Sequence, residues 1–211
     1  RYLNEQIAEQ DAKIVQQVSR VHKIVLLEEP ELGIEPRVIR RFIDVLMWLG
    51  ISEKEVSLDE LKGKNGTVIF FICNHCPFVI HINKALVQIA NEYSSKGSCF
   101  IARSSNDSEK YPMDSPANMK IHAKKENYPF PYLYDETQEV AKAYDAACTP
   151  DLYVFDSNLT SVYHGQLDDS RPGNELPVTG IYIREVLDLL ESKKPYTGIP
   201  KPSIGCNIKW K

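Results

Sequence analysis

The sequence lacks the marks of several large classes of protein. No apolar run approaches the ~20 residues that a membrane-spanning helix needs. No block of Lys or Arg stands out, and 25 basic residues against 29 acidic ones give a net charge of -4. A G-x-x-x-x-G-K-[ST] loop is also missing, so the acidic stretch Ile24–Glu31 is interpreted as a strand and turn rather than part of an ATPase. We therefore expect no nucleic-acid partner, no membrane partner and no cofactor.

The composition is that of a globular protein with reactive thiols. The chain has 211 residues, 43% of them hydrophobic and 26% charged, which suits one domain with additions. Five cysteines are an odd number, in a chain too large to need disulfide cross-links. The first residues, 1–6, are polar and do not resemble a signal peptide. These features predict a reducing compartment, the cytoplasm.

The most informative motif is Cys73-Asn74-His75-Cys76, a CxxC pair at a predicted strand-to-helix junction. The apolar run Thr67–Ile72 before it is typical of a strand buried on both faces. The stretch after it places apolar residues on one helical face: Phe78, Ile82, Ala85, Leu86, Ile89 and Tyr93.

This position suits thiol–disulfide chemistry. The N–H groups and dipole of a helix N-terminus stabilise a thiolate, so we expect Cys73 to be the attacking nucleophile, exposed and with a lowered pKa. Cys76, one turn into the helix, is expected to be the resolving thiol. His75 and Asn74 are predicted to tune the pair.

From about residue 55 the patterns alternate between strand and helix. Strands are predicted over 99–102, 132–134, 152–155 and 161–163, the last two forming a hairpin, and helices over 115–125, 137–144 and 181–190. The polar segment 104–131 is interpreted as an insert. Earlier in the chain, apolar spacing predicts a helix over 1–22, a strand at Ile24–Leu27 and a helix from Val38 to Leu49 that stops at Gly50. We therefore divide the chain into an extension, 1–54, and a domain, 55–211.

Five blocks of the domain resemble a thioredoxin-like family, the peroxiredoxin-like subgroup of the alkyl hydroperoxide reductase/thiol-specific antioxidant superfamily. They are Phe70–Pro77, Asp135–Ala141, Cys148–Asp151, Asp168–Asn174 and Pro202–Lys211. The resemblance implies an α/β thioredoxin fold, a central mixed sheet flanked by helices, and a redox role. Members of the family usually open with a β-hairpin, from which the helical patterns before residue 55 depart.

The resemblance also assigns a role to Thr149-Pro150, which matches the cis-proline loop that lies against the CxxC in thioredoxin folds. It implies that the backbone of Thr149 is exposed and pairs with an extended substrate. Cys148 precedes this loop, so a third thiol lies near the pair; a mixed disulfide, metal binding and simple packing are all open for it. Cys99 is expected to be inert core, and Cys206 to be either a second resolving thiol or part of a docked tail.

We therefore predict a thiol–disulfide oxidoreductase that acts on a protein or small-molecule disulfide or thiol and is reset by an external dithiol. A peroxiredoxin-like peroxidase is an alternative, but Phe70, Phe71 and Ile72 before Cys73 cannot donate hydrogen bonds to a developing oxyanion.

A third possibility is a copper or zinc binder that uses Cys73, Cys76, His75 and Cys148 as soft ligands. No second CxxC or His pair completes a tetrahedral set at the usual spacing, so no metal is predicted.

Overall fold

A computed structural model describes residues 45–49, 52–56 and 58–211 of the chain. The helix predicted over 1–22, the strand predicted at Ile24–Leu27 and the beginning of the helix predicted from Val38 lie outside the described residues. Most of the extension over 1–54 therefore stays a prediction.

The first described elements form a β-hairpin. Strand β1 (Val45–Leu49) pairs in antiparallel register with β2 (Ser52–Val56). The predicted helix that stops at Gly50 is therefore wrong over Val45–Leu49. Pairing with β2 satisfies backbone N–H and C=O groups that a helix would have satisfied internally, and the spacing of a few apolar residues does not distinguish the two outcomes. The chain thus has a hairpin where we expected it to depart from the family.

The centre of the domain is a five-stranded mixed sheet in the order β5-β4-β3-β7-β8. The remaining strands of the chain are β3 (Gly66–Phe71), β4 (Ser98–Ser104), β5 (Tyr132–Tyr134), β6 (Cys148–Thr149), β7 (Asp151–Asp156), β8 (Ser161–Gly165) and β9 (Cys206–Asn207). Strands β3, β4 and β5 run parallel, whereas β7 is antiparallel to both of its neighbours. The short strands β6 and β9 form a separate pair. The sheet confirms the predicted mixed α/β architecture.

Helices cover both faces of this sheet. They are α1 (Leu58–Leu61), α2 (Pro77–Ser94), α3 (Pro116–Glu126), α4 (Glu139–Ala143) and α5 (Ile181–Glu191). Alternate residues of β3 point to opposite faces: Val68 and Phe70 belong to the apolar cluster that contains α2 and α5, and Ile69 and Phe71 to the cluster that contains Ala141 of α4. Among the described residues, no helix combines the length and apolar character needed to cross a membrane.

Helix α2 begins directly after the CxxC motif. Pro77 occupies its first turn, where the missing proline N–H would have no partner in any case. The apolar face predicted from the sequence is buried, with Ile82, Leu86 and Ile89 in the core. Because β3 and β4 are parallel, the turn after β3 and the insert after β4 start from the same edge of the sheet. The insert is thereby placed beside the CxxC motif.

Candidate active site

Cys73 and Cys76 lie in the turn that connects β3 with α2. Cys76 is the N-cap residue of α2, so the prediction that it lies one turn inside the helix is wrong. Both side chains are buried, with 1% and 0% of their surfaces exposed, so the exposure predicted for Cys73 is wrong. Both thiols are free. Each thiol shifts the pKa of the other, so the two sulfurs are close neighbours at a helix N-terminus.

The predicted cis-proline loop lies against this pair. The Thr149–Pro150 peptide bond is cis. The Cys76 thiol donates a hydrogen bond to the carbonyl oxygen of Thr149 at 3.1 Å, and Cys73 Sγ lies 3.5 Å from Thr149 Oγ1. A single residue thus contacts both sulfurs, one through its backbone and one through its side chain.

The surroundings of the two thiols shift their pKa values in opposite directions. The hydrogen bond to Cys76, burial, and the carboxylate charge of Asp114 all raise the pKa of Cys73, so the lowered pKa predicted for Cys73 is wrong for this reduced state. The same hydrogen bond lowers the pKa of Cys76. Against this, the Thr149 carbonyl oxygen beside Cys76 Sγ favours the protonated form of Cys76, because a thiolate there would face a partial negative charge.

Asn74 and His75, the two residues between the thiols, are held by the insert. Asn74 donates its backbone N–H to Asp114 Oδ1 at 2.8 Å and its side-chain amide to the Met113 carbonyl at 2.6 Å. His75 Nδ1 lies 2.8 Å from Asp114 Oδ2, but the two groups lack the alignment of a hydrogen bond. The Tyr132 hydroxyl donates to Asn74 Oδ1. The turn between the thiols is therefore fixed by side chains distant in sequence.

Sequence reasoning missed Asp114, the residue that organises this turn. Its side chain is completely buried and accepts a further hydrogen bond from Asn106 at 2.8 Å. The signal that could have found it is topological: polar residues that follow β4 must lie near residues that follow a parallel β3, at the carboxyl edge of the sheet. Asp114 places a negative charge beside Cys73.

The chain's own C-terminal segment covers the cis-proline loop. In the β6–β9 pair, Thr149 lies opposite Cys206 and Cys148 opposite Asn207. The expectation that the Thr149 backbone is exposed to solvent is therefore wrong, since β9 occupies its pairing edge. Thr149 retains only 2% of its surface exposed.

The remaining thiols differ in environment. Cys148 is buried beside the pair, with its thiol directed at the Pro150 carbonyl, and burial raises its pKa to about 12. Burial also raises the pKa of Cys99, a residue of β4, to about 11. Cys206 is half-buried, and burial followed by its hydrogen bond with Cys76 raises its pKa to about 11. Cys148 and Cys206 thus lie at the site, whereas Cys99 does not.

Three potential metal ligands lie close together at the site. Within the described part of the chain, one group of Cys, His and carboxylate side chains has its ligand atoms within 4.8 Å of one another: Cys73, His75 and Asp114. Cys76 and Cys148, both ligands in the predicted alternative, are not part of this group. The structure thus has one carboxylate in place of two soft ligands of that alternative.

Comparisons with known proteins place these features in context. The model of the AhpC/TSA family matches residues 46–163. An uncharacterized conserved protein from Geobacillus kaustophilus is 58% identical, with a TM-score of 0.78, and the match covers 81% of this chain and 89% of that one. A hypothetical protein from Sinorhizobium meliloti is 42% identical, with a TM-score of 0.74 and coverage of 75% and 87%.

A more distant match shares the fold alone. A secreted disulfide oxidoreductase from Mycobacterium tuberculosis is 16% identical, with a TM-score of 0.51, over 72% of this chain and 96% of that one. No curated protein matches the sequence.

Proposed function

Since the chain belongs to the AhpC/TSA family and shares its thiol-based redox character, we propose that it is a thiol–disulfide oxidoreductase whose redox couple is Cys73–Cys76. The observation that carries the proposal is the pair of neighbouring thiols at the start of α2, both in contact with Thr149 of the cis-proline loop. Such a pair can exist as a dithiol or as a disulfide with little movement of the backbone.

In the proposed reaction, Cys73 attacks a substrate disulfide. When the pair loses one proton to the solvent, the remaining proton stays on Cys76, whose thiol donates to the Thr149 carbonyl oxygen. Cys73 is then the attacking thiolate, and the Thr149 hydroxyl can donate a hydrogen bond to it. The substrate S–S bond breaks, a mixed disulfide with Cys73 forms, and the first product leaves as a thiolate that takes up a proton.

Cys76 completes the cycle as the resolving thiol. It attacks Cys73 Sγ, which breaks the mixed disulfide, releases the second product thiol and leaves a Cys73–Cys76 disulfide. An external dithiol then reduces this disulfide and is itself oxidised, so the electrons balance. Asn74 and His75, held by Asp114, position the turn on which both sulfurs lie.

We propose a protein or small-molecule disulfide as substrate and the cytoplasm as location. The support for this location is the set of five free cysteines, which suits a reducing compartment. Fractionation of native cells, with an antibody to this chain, tests it, and recovery from an oxidising compartment would contradict it.

The test of the central proposal is a redox titration in which alkylation of each cysteine is read by mass spectrometry across dithiothreitol buffers. We expect one Cys73–Cys76 couple. In the Cys76→Ser variant we expect trapped mixed disulfides on Cys73, whereas Cys73→Ser is the matched control and should trap none there. Trapping only on Cys76 in the Cys73→Ser variant would reverse the two roles, and a pair that stays reduced throughout would exclude the couple.

Peroxidase activity is the less favoured alternative. The residues before Cys73 are buried in the core, and none of their side chains donates a hydrogen bond. The nearby Arg103 is completely buried and interacts with Asp135 and Tyr144, and Tyr144 belongs to the cluster on the face opposite Cys73. No guanidinium in the described residues is shown to contact Cys73. Peroxide consumption at the rate of a dedicated peroxidase would reverse this ranking.

The geometry of the site supports metal binding less than it supports thiol–disulfide exchange. Ligand atoms of a tetrahedral zinc site lie about 3.5 Å apart, shorter than the 4.8 Å spread of Cys73, His75 and Asp114. Both Asp114 oxygens also accept hydrogen bonds from amide groups. Zinc or copper(I) that titrates stoichiometrically into the reduced protein would revive this alternative.

A further inference from the structure

The C-terminal strand occupies the place where a substrate strand would pair. β9 lies antiparallel to β6, with Cys206 opposite Thr149. The fit is close: a Cβ atom on Gly205 would lie 2.1 Å from the Thr149 carbonyl oxygen. That oxygen is also the acceptor for the Cys76 thiol. The chain therefore presents a cysteine of its own at the edge that thioredoxin-like proteins offer to extended partners.

Cys206 reaches the reactive pair. Its side chain packs against the apolar cluster that includes Cys73 and Cys76. Cys206 and Cys76 also shift each other's pKa, as neighbouring sulfurs do, and no disulfide occupies any of the three sulfurs. Of these three residues only Cys206 is partly exposed.

The segment around Cys206 is anchored without any ligand. Ile208 is buried in the core. The backbone N–H of Lys209 donates to Asn106 Oδ1 at 2.8 Å, and its carbonyl accepts from the Gln138 side chain at 2.9 Å. On the other side, the Lys201 carbonyl accepts from the backbone N–H of Gln166. A thiol fixed in this way has a high effective concentration toward its neighbour, which offsets a small thiolate fraction.

We propose that Cys206 is a third redox-active thiol, which exchanges with the Cys73–Cys76 disulfide to form a Cys76–Cys206 disulfide. The inference rests on the proposed function. In the exchange, the Cys206 thiolate attacks Cys76 Sγ, the Cys73–Cys76 bond breaks, and Cys73 leaves as a thiolate that takes up the proton released by Cys206. No net oxidation occurs, because the substrate disulfide has already supplied the oxidising equivalents.

The exchange would change what the oxidised protein can do. A Cys76–Cys206 disulfide ties the C-terminal strand covalently to the start of α2 and returns Cys73 to the free thiol state. The oxidised protein would then retain one nucleophilic sulfur, which can attack a second disulfide before external reductant arrives.

The decisive variant is Cys73→Ser, equilibrated in mixtures of oxidised and reduced dithiothreitol and read by alkylation and peptide mass spectrometry. We expect a Cys76–Cys206 disulfide and a fall of roughly tenfold or more in the alkylation of Cys206 between reducing and oxidising buffers. The disulfide should persist when Cys148→Ser is added and vanish when Cys206→Ser is added. Circular dichroism checks the fold, and Cys73→Ala replaces Cys73→Ser if the latter unfolds.

The experiment distinguishes failure of the Cys206 proposal from failure of the proposed function. Cys76 and Cys206 that both stay reduced in Cys73→Ser, in buffers where the wild type forms Cys73–Cys76, would overturn the role of Cys206 alone. Pairing of Cys76 with Cys148 would overturn it as well. A wild type in which Cys73 and Cys76 both stay reduced would instead overturn the proposed function.

Discussion

His75 Nδ1 lies 2.8 Å from Asp114 Oδ2, which joins the turn between the two thiols to a residue of the insert 39 positions later in the chain. Asp114 is completely buried, and its partners within hydrogen-bond distance are Asn74, Asn106 and His75. The carboxylate therefore influences the thiols through its charge and also through the position of the turn.

Asp114→Asn should lower the pKa of Cys73. The negative charge of Asp114 raises this pKa, because a thiolate beside a carboxylate is disfavoured, and an amide of the same shape removes the charge. In a Cys76→Ser background, the rate of Cys73 alkylation plotted against pH should shift to lower pH. Asp156→Asn is the control, since Asp156 pairs with Gly66 at the opposite end of β3. An unchanged or upward shift would contradict this electrostatic role.

Asn74→Ala should destabilise the fold. The Asn74 amide donates to the Met113 carbonyl, and its oxygen accepts from the buried Tyr132 hydroxyl. Loss of these hydrogen bonds should lower the free energy of unfolding by about 1–3 kcal/mol, measured by urea denaturation.

Tyr132→Phe tests whether the two side chains act together. The double variant with Asn74→Ala should lose less free energy of unfolding than the sum of the two single variants, because both changes remove the same hydrogen bond. Strict additivity would show that this contact contributes nothing measurable.

Cys99 and Cys148 should be poor nucleophiles in the native protein. Burial raises their pKa values from 9.0 to about 11 and about 12. At pH 8 this leaves roughly 100-fold and 1000-fold less thiolate than in the unfolded chain. Iodoacetamide labelling, followed by mass spectrometry with and without urea, measures the ratio. Equal labelling of either residue in both states would refute the assignment.

Gly205→Ala should separate β9 from β6. The added Cβ would meet the backbone carbonyl of Thr149 at 2.1 Å, and no side-chain movement relieves a contact with backbone. We expect faster alkylation of Cys73 and Cys76, because both would lose their cover.

Gly97→Ala is the matched control for this change. Gly97 has a φ of 89°, so alanine is strained there as well, but it lies in the turn before β4, at the end of the sheet away from the thiols. Destabilisation without thiol exposure is expected. Equal labelling of the thiols in the two variants would show that exposure follows general loss of stability and not release of β9.

Local sequence patterns correctly predicted the strands and helices whose conformation depends mainly on their own residues. The apolar run over Thr67–Ile72 and the helical stripe that follows it became β3 and α2, because both lie in the core. The hairpin at 151–165 was predicted from two apolar runs on either side of a turn. The helix capped by Ser115 was predicted as well, although only Met119 of it is buried. Residues Val45–Leu49 were misassigned, since their partner strand, and not their own spacing, decided their conformation.

Contacts between distant segments could not be read from the sequence in the same way. The CxxC pair and the cis-proline loop were found because each is a short motif. Asp114 and the pairing of Cys206 with Thr149 were missed, since no local signal links residues so far apart. The lowered pKa predicted for Cys73 failed for a related reason: it assumed a helix dipole alone, without the neighbouring Cys76 thiol, the burial of the side chain and the carboxylate of Asp114.

The pairing of β9 with β6 also has a consequence for biosynthesis. The ribosome releases Cys73 and Cys76 long before it releases the strand that covers them. At ordinary rates of translation the delay is on the order of 10 s. Throughout that interval the nascent thiols lie uncovered among the oxidants and reductants of the cell. Their redox state is therefore set by the cellular thiol pool before the finished chain shields them.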